Sequence, residues 1–461
     1  MNNDTSKRVV LIAVTLGAFL TPFMGSSVNI ALPSIGKDFE MDAVLLGWVA
    51  TAYLITGAMF LVPFGRIADI YGRKKVFTYG IVLYTIASLL SALSTSAIML
   101  ISFRVLQGIG GAMIFGTSVA ILTSVFPVGD RGRVLGINVA AVYVGLSVGP
   151  FVGGLLTDHF GWRSVFYANV PLGLIMVALI LWKLKGDWAM AKGEKFDLPG
   201  SIIYGVMLVA IMYGFTRLPS LWGGWLILVG LLALVAFIWW ELRVKSPVLN
   251  INLFRNNIVF AFSNLAALIN YSATFAVSFL LSLYLQYIKG FNPEDAGLVL
   301  IAAPVMQAIF SPVAGRLSDR IEPRILASAG MALAVVGLAL FALIGYGTSL
   351  AFIVGGLVIL GFGFALFSSP NTNAVMSSVE NRFYGVSAAT LGTMRQVGMM
   401  LSMGIAMLLF AVYMGRVEIT PEYYDLFLKS TRTAFIIFAG LCFAGIFASL
   451  ARGKVRGEGP G

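Results

Sequence analysis

Gly65-Arg66-Ile67-Ala68-Asp69-Ile70-Tyr71-Gly72-Arg73-Lys74-Lys75 is the stretch on which the fold turns. It lies between two long apolar runs. It returns, shortened, 250 residues later as Gly315-Arg316-Leu317-Ser318-Asp319-Arg320. Nearly the same offset carries the apolar run that starts near residue 8 onto the one that starts near residue 257. The chain therefore reads as two related halves. Such a repeat is the mark of a carrier with its binding site between the halves, near the bilayer midplane. Within the stretch, glycine permits a tight turn and a close helix approach. The aspartate can accept from an arginine of its own loop, and negative charge is favoured beside a helix N-terminus. One copy would be an ordinary charged hairpin. Two copies at matching positions make Gly65, Asp69, Gly72, Arg73, Gly315 and Asp319 candidate gating residues.

Composition agrees. Of 461 residues, 59% are hydrophobic and 11% charged, with a mean hydropathy of +0.92. Soluble proteins carry about 25% charge, and no soluble domain could coat that much apolar surface. A soluble enzyme, a nucleic-acid-binding domain and a disordered chain are excluded. Runs long enough to span a bilayer, about 20 residues each, number fourteen: 8–32, 44–65, 76–95, 97–126, 133–157, 164–183, 198–216, 221–242, 257–288, 294–317, 324–346, 350–374, 383–414 and 431–451. The predicted fold is an all-α polytopic membrane protein. It has a six-helix bundle over 1–185, a linker with two extra membrane helices over 186–256, and a second six-helix bundle over 257–461.

With the N-terminus inside, 22 Lys and Arg fall in inside segments and 7 outside. This bias predicts cytoplasmic N- and C-termini in a plasma or inner membrane, and it accounts for the net charge of +11 as topology. The run after Lys7-Arg8 is too long for a cleaved signal core and reads as the first helix. One cysteine, Cys442, allows no intrachain disulfide, and one histidine, His159, cannot build a histidine metal cluster. No metal and no cofactor are expected.

The Gly65–Lys75 stretch resembles the loop signature of the major facilitator superfamily, Gly-x-Leu-Ala-Asp-x-x-Gly-Arg-Lys. Arg104-Val105-Leu106-Gln107-Gly108 in span 4 is similar to the family's Arg-x-x-Gln-Gly motif. Gly145-Leu146-Ser147-Val148-Gly149-Pro150-Phe151-Val152-Gly153-Gly154 in span 5 resembles its antiporter motif. With Gly161-Trp162-Arg163, Asn169-Val170-Pro171 and the two extra spans, the chain resembles the fourteen-span drug:proton antiporters. The resemblance implies a secondary active transporter that exports small amphipathic molecules in multidrug fashion by alternating access. Protons are the implied coupling partner, and a monomer in the lipid bilayer is expected. Gly145, Gly149 and Gly153 share one helical face, suited to close packing, and Pro150 bends the helix. The resemblance adds a seal on one side of the cavity.

One departure stands out. That branch carries Asp in span 1, five residues before an Asn that aligns with Asn29; here the position is Met24. Every one of the 20 acids falls in a loop or at a span end, with Glu241 read as an interfacial residue. The charges left inside spans are Arg104, about seven residues or roughly 10 Å deep, and Arg395, about twelve residues or roughly 18 Å deep. An intramembrane arginine faces the protein interior or a watery cavity and is functional by default. Without the aspartate, the cavity should be electropositive and favour anionic or zwitterionic amphiphiles. That leaves a second reading open, a facilitator or exchanger of an anionic or zwitterionic metabolite without proton coupling.

The resemblance places the cavity between spans 1, 4, 9 and 12, supported by 2, 5, 10 and 13. Polar residues there include Asn138, Tyr143, Asn264, Gln307 and Asn373. The substrate-binding candidates are Asn29, Tyr53, Arg104, Gln107, Asn270, Tyr271, Asn371, Arg395 and Gln396. Some of these must serve helix–helix bonds, because a buried polar group needs a partner. An intramembrane enzyme would need a base, nucleophile or metal cluster in the spans, and an ATP-driven pump a Gly-x-x-x-x-Gly-Lys-Ser/Thr loop. With one histidine, one cysteine and no acid within a span core, the first is poorly supported, and the second motif is not present in the sequence.

Overall fold

The computed structural model describes residues 3–183, 189, 191–245, 247–249, 251–380 and 384–453. The boundary at 185/186 lies outside them. Fourteen helices are long and apolar enough to cross a membrane: α1 Lys7–Asp38, α2 Ala43–Tyr71, α3 Arg73–Ala92, α4 Ala97–Val125, α5 Arg133–Phe160, α6 Arg163–Trp182, α7 Leu198–Arg217, α8 Leu221–Glu241, α9 Ile258–Ile288, α10 Pro293–Ser318, α11 Pro323–Phe341, α12 Leu350–Ser377, α13 Val386–Tyr413 and α14 Pro421–Ala451. Each coincides with a predicted span. We call the end that carries the Gly65–Lys75 stretch the motif end, and the opposite one the far end.

One expectation needs correcting. Gly65–Lys75 is not a loop. α2 runs through Tyr71 and α3 starts at Arg73, so the reversal is made at Gly72 alone, with φ 120°. Only glycine takes that backbone without strain. Apolar Ala68 and Ile70 keep the last turn of α2 buried, which extends the helix past its polar residues.

The repeat is visible in packing. α3 crosses α4 where Gly80 meets Gly110: a methyl on Gly110 would lie 2.9 Å from the Gly80 carbonyl oxygen. α11 crosses α12 in the same way, a methyl on Gly330 lying 2.5 Å from the Gly363 oxygen. Lipid offers no hydrophobic drive for helix association, so close backbone contact at small residues does this work. α9 and α10 depart from regular helix, through a π turn at Tyr284–Ile288 and a break between Leu300 and Ala302.

α5 lies along α1 through its glycine face. A methyl on Gly145 would lie 2.5 Å from the Phe19 oxygen, and one on Gly153 2.6 Å from the Ser27 Cα. Ser27 Oγ then donates to the Gly149 oxygen at 2.8 Å. The extra helix α7 lies across the seam between the halves. Tyr204 donates to the Ala58 oxygen of α2 at 3.1 Å, and Met212 packs on Gly404 of α13. α8 lies outside α7, with Trp222 and Trp225 exposed near one end and Trp239 near the other, as suits membrane interfaces.

Gly145→Ala should destabilise the protein by about 1–3 kcal/mol through overpacking against backbone. Gly136→Ala, with nothing within 4 Å of the added methyl, should not. Thermal unfolding midpoints in detergent check both.

Candidate interhelix transport site

The halves close on each other at the far end. Ser282 Oγ of α9 donates to the Asn29 oxygen of α1 at 2.8 Å, and Gln286 Nε2, in the π turn, donates to the Ile30 oxygen at 3.0 Å. α5 and α10 meet backbone to backbone. A methyl on Gly154 would lie 2.4 Å from the Pro293 oxygen, and one on Gly297 2.3 Å from the Pro150 oxygen. Met407 of α13 lies over Gly47 of α2 and accepts from Thr51 Oγ1 at 3.2 Å. Asp158, His159 and Glu294 gather beside this seal, but on the surface, where such groups are common without an ion. Towards the motif end, the last hydrogen bond joining the two halves among the described residues is Tyr143 to Ser368, at 3.0 Å.

That bond belongs to a polar cluster in the seam. Arg395 of α13 donates through Nη2 to Thr372 Oγ1 at 2.6 Å, and its guanidinium lies 5.7 Å from the Tyr271 ring centroid. Tyr143 neighbours Arg395, Tyr271 and Ser311. Arg395 is half-buried, its Nε has no partner, and no carboxylate pairs with it among the described residues. Asn138 Oδ1, Ser147 Oγ and Gln307 Nε2, on α5 and α10, are also buried without partners. Each such atom costs about 1–3 kcal/mol if nothing meets it, so this seam suits water or a polar ligand. Gln396 faces α2, its Nε2 lying 3.0 Å from where a Gly57 methyl would be. Of the binding candidates, Tyr271 and Arg395 thus come together, Gln396 turns instead to α2, and Asn29 lies at the far-end closure.

The rest lie elsewhere. Arg104 is 1% exposed. Its Nε donates to the Val49 oxygen at 2.9 Å, its Nη1 to Gln107 Oε1, and its guanidinium lies over the Tyr53 ring at 4.5 Å. Gln107 Nε2 passes on to Ser88 Oγ at 2.7 Å. Arg104, Gln107 and Tyr53 thus form a closed network within α2, α3 and α4. Met24 is fully buried and receives Asn169 Nδ2 of α6 at 2.8 Å. The missing aspartate therefore leaves no unmet charge at Arg104, which carbonyl, amide and ring satisfy instead. Asn270 is buried against Cys442 of α14. Asn371 donates to the Ser263 oxygen at 3.1 Å and accepts from Arg452 at 3.0 Å. Arg452, counted from sequence among the loop bases, is fully buried and joins α9, α12 and α14. Ser368 and Thr372, which carry the seam cluster, flank Pro370 and had no charge to flag them.

At the motif end, Asp69 accepts from Arg73 Nε at 2.8 Å, and Arg73 Nη1 donates to the Ala120 oxygen at 2.9 Å and to Ser124. The arginine thus sits at the C-terminal end of α4, where a cation is favoured. In the second copy, Pro323 stands at the matching position, and Asn373 reaches Ser318 Oγ at 2.9 Å and Asp319 at 3.5 Å. Gly315 lies against Ser369 of α12, and Gly65 leaves room beside Gly116 of α4.

Two related six-helix bundles with a polar seam closed at one end define a membrane transporter. Residues 14–402 match the Major Facilitator Superfamily, with a further match over 264–460, and the chain belongs to that family. It is 29% identical to the riboflavin transporter RibZ of Clostridioides difficile, covering 96% of this chain and 97% of that one. It is 32% identical to the cephamycin export protein CmcT of Amycolatopsis lactamdurans (92% and 89% covered) and 30% identical to the multidrug resistance protein Stp of Mycobacterium tuberculosis (86% and 74%). Among solved structures, an inward-facing bacterial homologue of the human lysosomal transporter Spinster aligns with a TM-score of 0.72 at 16% identity over 97% of both chains.

Gly154→Leu should drive α5 and α10 apart at the far end and raise the population open there. Spin-label distances across that end should lengthen relative to wild type, while distances across the motif end should shorten.

Proposed function

We propose that the protein exports small amphipathic molecules across the cell membrane by alternating access, with the motif end and both termini in the cytoplasm. The carrying observation is Arg395: a half-buried cation in the seam between halves, with an unpartnered Nε and no carboxylate beside it among the described residues. Such a group attracts an anionic or zwitterionic head, while Tyr143 and Tyr271 offer aromatic walls. The basic excess at the motif end supports the orientation. The names of the relatives from Amycolatopsis and Mycobacterium support export over uptake. We take the protein as a monomer, with 1–185 and 257–461 as its moving bundles and 186–256 as the bridge.

Proton antiport is the coupling that the resemblance implies. The second reading is exchange or facilitated passage of an anionic metabolite without protons. It is favoured by Met24, which takes the aspartate's place, and by the absence of a mid-span carboxylate among the described residues.

Proteoliposome flux with an imposed pH gradient, over cationic, neutral and anionic amphiphiles, tests these readings. Anionic and zwitterionic compounds should be preferred. Arg395→Gln should lower their transport about tenfold or more, the loss of one charge-assisted hydrogen bond, while Arg395→Lys should retain part of it. Flux indifferent to the gradient would remove antiport. Cation transport untouched by Arg395→Gln would remove the substrate class.

A further inference from the structure

The α7–α8 hairpin holds two buried carboxyl groups at its motif end. Asp197 is 6% exposed and Glu241 2%, so Glu241 is not the interfacial residue its sequence position suggests. Asp197 caps α7: its Oδ1 accepts from Gly200 N at 3.0 Å. Trp240 Nε1 lies 3.1 Å from each of its oxygens. Glu241 Oε2 accepts from Leu249 N at 2.9 Å. Three of the four carboxyl oxygens therefore have N–H donors.

The fourth, Glu241 Oε1, is buried with no donor. The group beside it is the Asp197 carboxyl. Both crowd Gly200, where an added methyl would lie 2.3 Å from Asp197 Oδ2 and 2.7 Å from Glu241 Oε1. Two acceptors thus face each other in a buried pocket. Among the described residues no basic group pairs with them. Lys195, Arg243 and Lys245 are exposed, Arg243 lies on the Trp239 ring, and no Lys or Arg is ion-paired with either carboxyl among the described residues. Tyr204, the nearby phenol on α7, sends its hydroxyl to α2. A metal ion would need several free oxygens, and the N–H donors already occupy all but one. Adjacent buried carboxyls cannot both ionise.

We propose that Asp197 and Glu241 share one proton at neutral pH, Glu241 Oε1 donating to the Asp197 carboxylate, and that this proton site ties the connection into the second half to the hairpin. The proton sits where segments from both halves meet. Upstream of Asp197, Glu194 pairs with Arg66 and Ala191 N donates to the Asp69 oxygen at 2.9 Å, both in the motif of the first half. Downstream of Glu241, Leu249 leads into a short helix, Ile251–Asn256, and then α9 of the second half. When the proton leaves to water, two carboxylates face each other and repel, while the Leu249 N–H, which favours an ionised acceptor, stays on Glu241. This inference rests on the hairpin alone, not on the substrate or coupling proposed above.

Infrared difference spectroscopy of the purified full chain in nanodiscs tests it. Wild type should show a protonated-carboxyl C=O band at neutral pH that disappears on alkalinisation. Glu241→Gln keeps a donor towards Asp197, so it should fold and lack the band. Asp197→Asn, which preserves an N-cap residue, should lose it too, and carries the test if the first variant fails to fold. Thermal unfolding gives a second readout. The protonated pair is a feature of the folded state, so the wild-type Tm should fall relative to Glu241→Gln as pH rises from about 5 to about 9. A wild-type spectrum without the band, a band surviving both substitutions, or a Tm gap constant with pH would each overturn the proposal.

Discussion

A charge inside a bilayer must be met by the protein itself, since lipid offers nothing to meet it. That constraint sorts the buried arginines. Arg104 is matched by a carbonyl, an amide and a ring; Arg452 by two serines and Asn371. Each joins three helices of its own half, so breaking either set leaves a buried guanidinium without partners. Such groups act as rivets that keep each bundle rigid. Arg395 differs in being incompletely met, on the face where the two bundles must separate. A rivet there would oppose the motion, and a partly satisfied cation can exchange its partners with a passing ligand.

The second requirement is that helices slide without losing backbone satisfaction. α5 shows how. Its Gly145, Gly149 and Gly153 face packs on α1 within one half, while Pro150 and Gly154, a quarter turn and more away, pack on Pro293 and Gly297 of the other half. The first contact is fixed by serine hydrogen bonds; the second is backbone against backbone at these four residues, with His159 and Glu294, 3.7 Å apart, beside it at the surface. Pro150 removes a donor where α10 approaches. The permanent and the separable contact thus sit on two faces of one helix. The motif end is likewise asymmetric: an Asp69–Arg73 pair on α4 in the first half, an Asn373 amide on Asp319 in the second.

The spans, the repeat and the family were legible because they depend on patterns local in sequence: apolar length, charge bias, and a glycine–aspartate motif at a fixed offset. The seam was half legible. Arg395 announced itself as a charge where none belongs. Tyr271 came with it by helix choice, whereas Gln396 turns to α2. Asn270 and Asn371 lie on the same helices but point into the second bundle, because a polar residue on a cavity-lining helix can face either way and periodicity shows no preferred side. Gly154 and Gly297 could not be separated from Gly153 without knowing which helix each face meets. The Asp197–Glu241 pair brings together residues 44 positions apart through the α7–α8 turn, a contact no single-helix pattern encodes. Arg452 looked like a tail residue because only the arrival of α9 and α12 buries it.

The extra hairpin completes the mechanical picture. α7 lies over the groove between α2 and α13, which belong to different halves. Its one side-chain hydrogen bond across that groove among the described residues is to Ala58, in the first half. α7 touches the second half through Met212 and Phe215 over Gly404, and the first also through Met59 over Gly205. Methionine adapts its shape at low cost and glycine presents a smooth surface. α7 is thus hydrogen-bonded to α2 and only in van der Waals contact with α13 among the described residues. The polar segment before α7, held by Arg66 and the Asp69 carbonyl, fixes the hairpin further to the first half. The hairpin therefore covers the seam between α2 and α13 from the lipid side while being tied by polar contacts to the first half. The Leu249 connection, held by Glu241, is where the chain passes from this assembly into the second half, so the buried carboxyl pair lies at the covalent joint between the two.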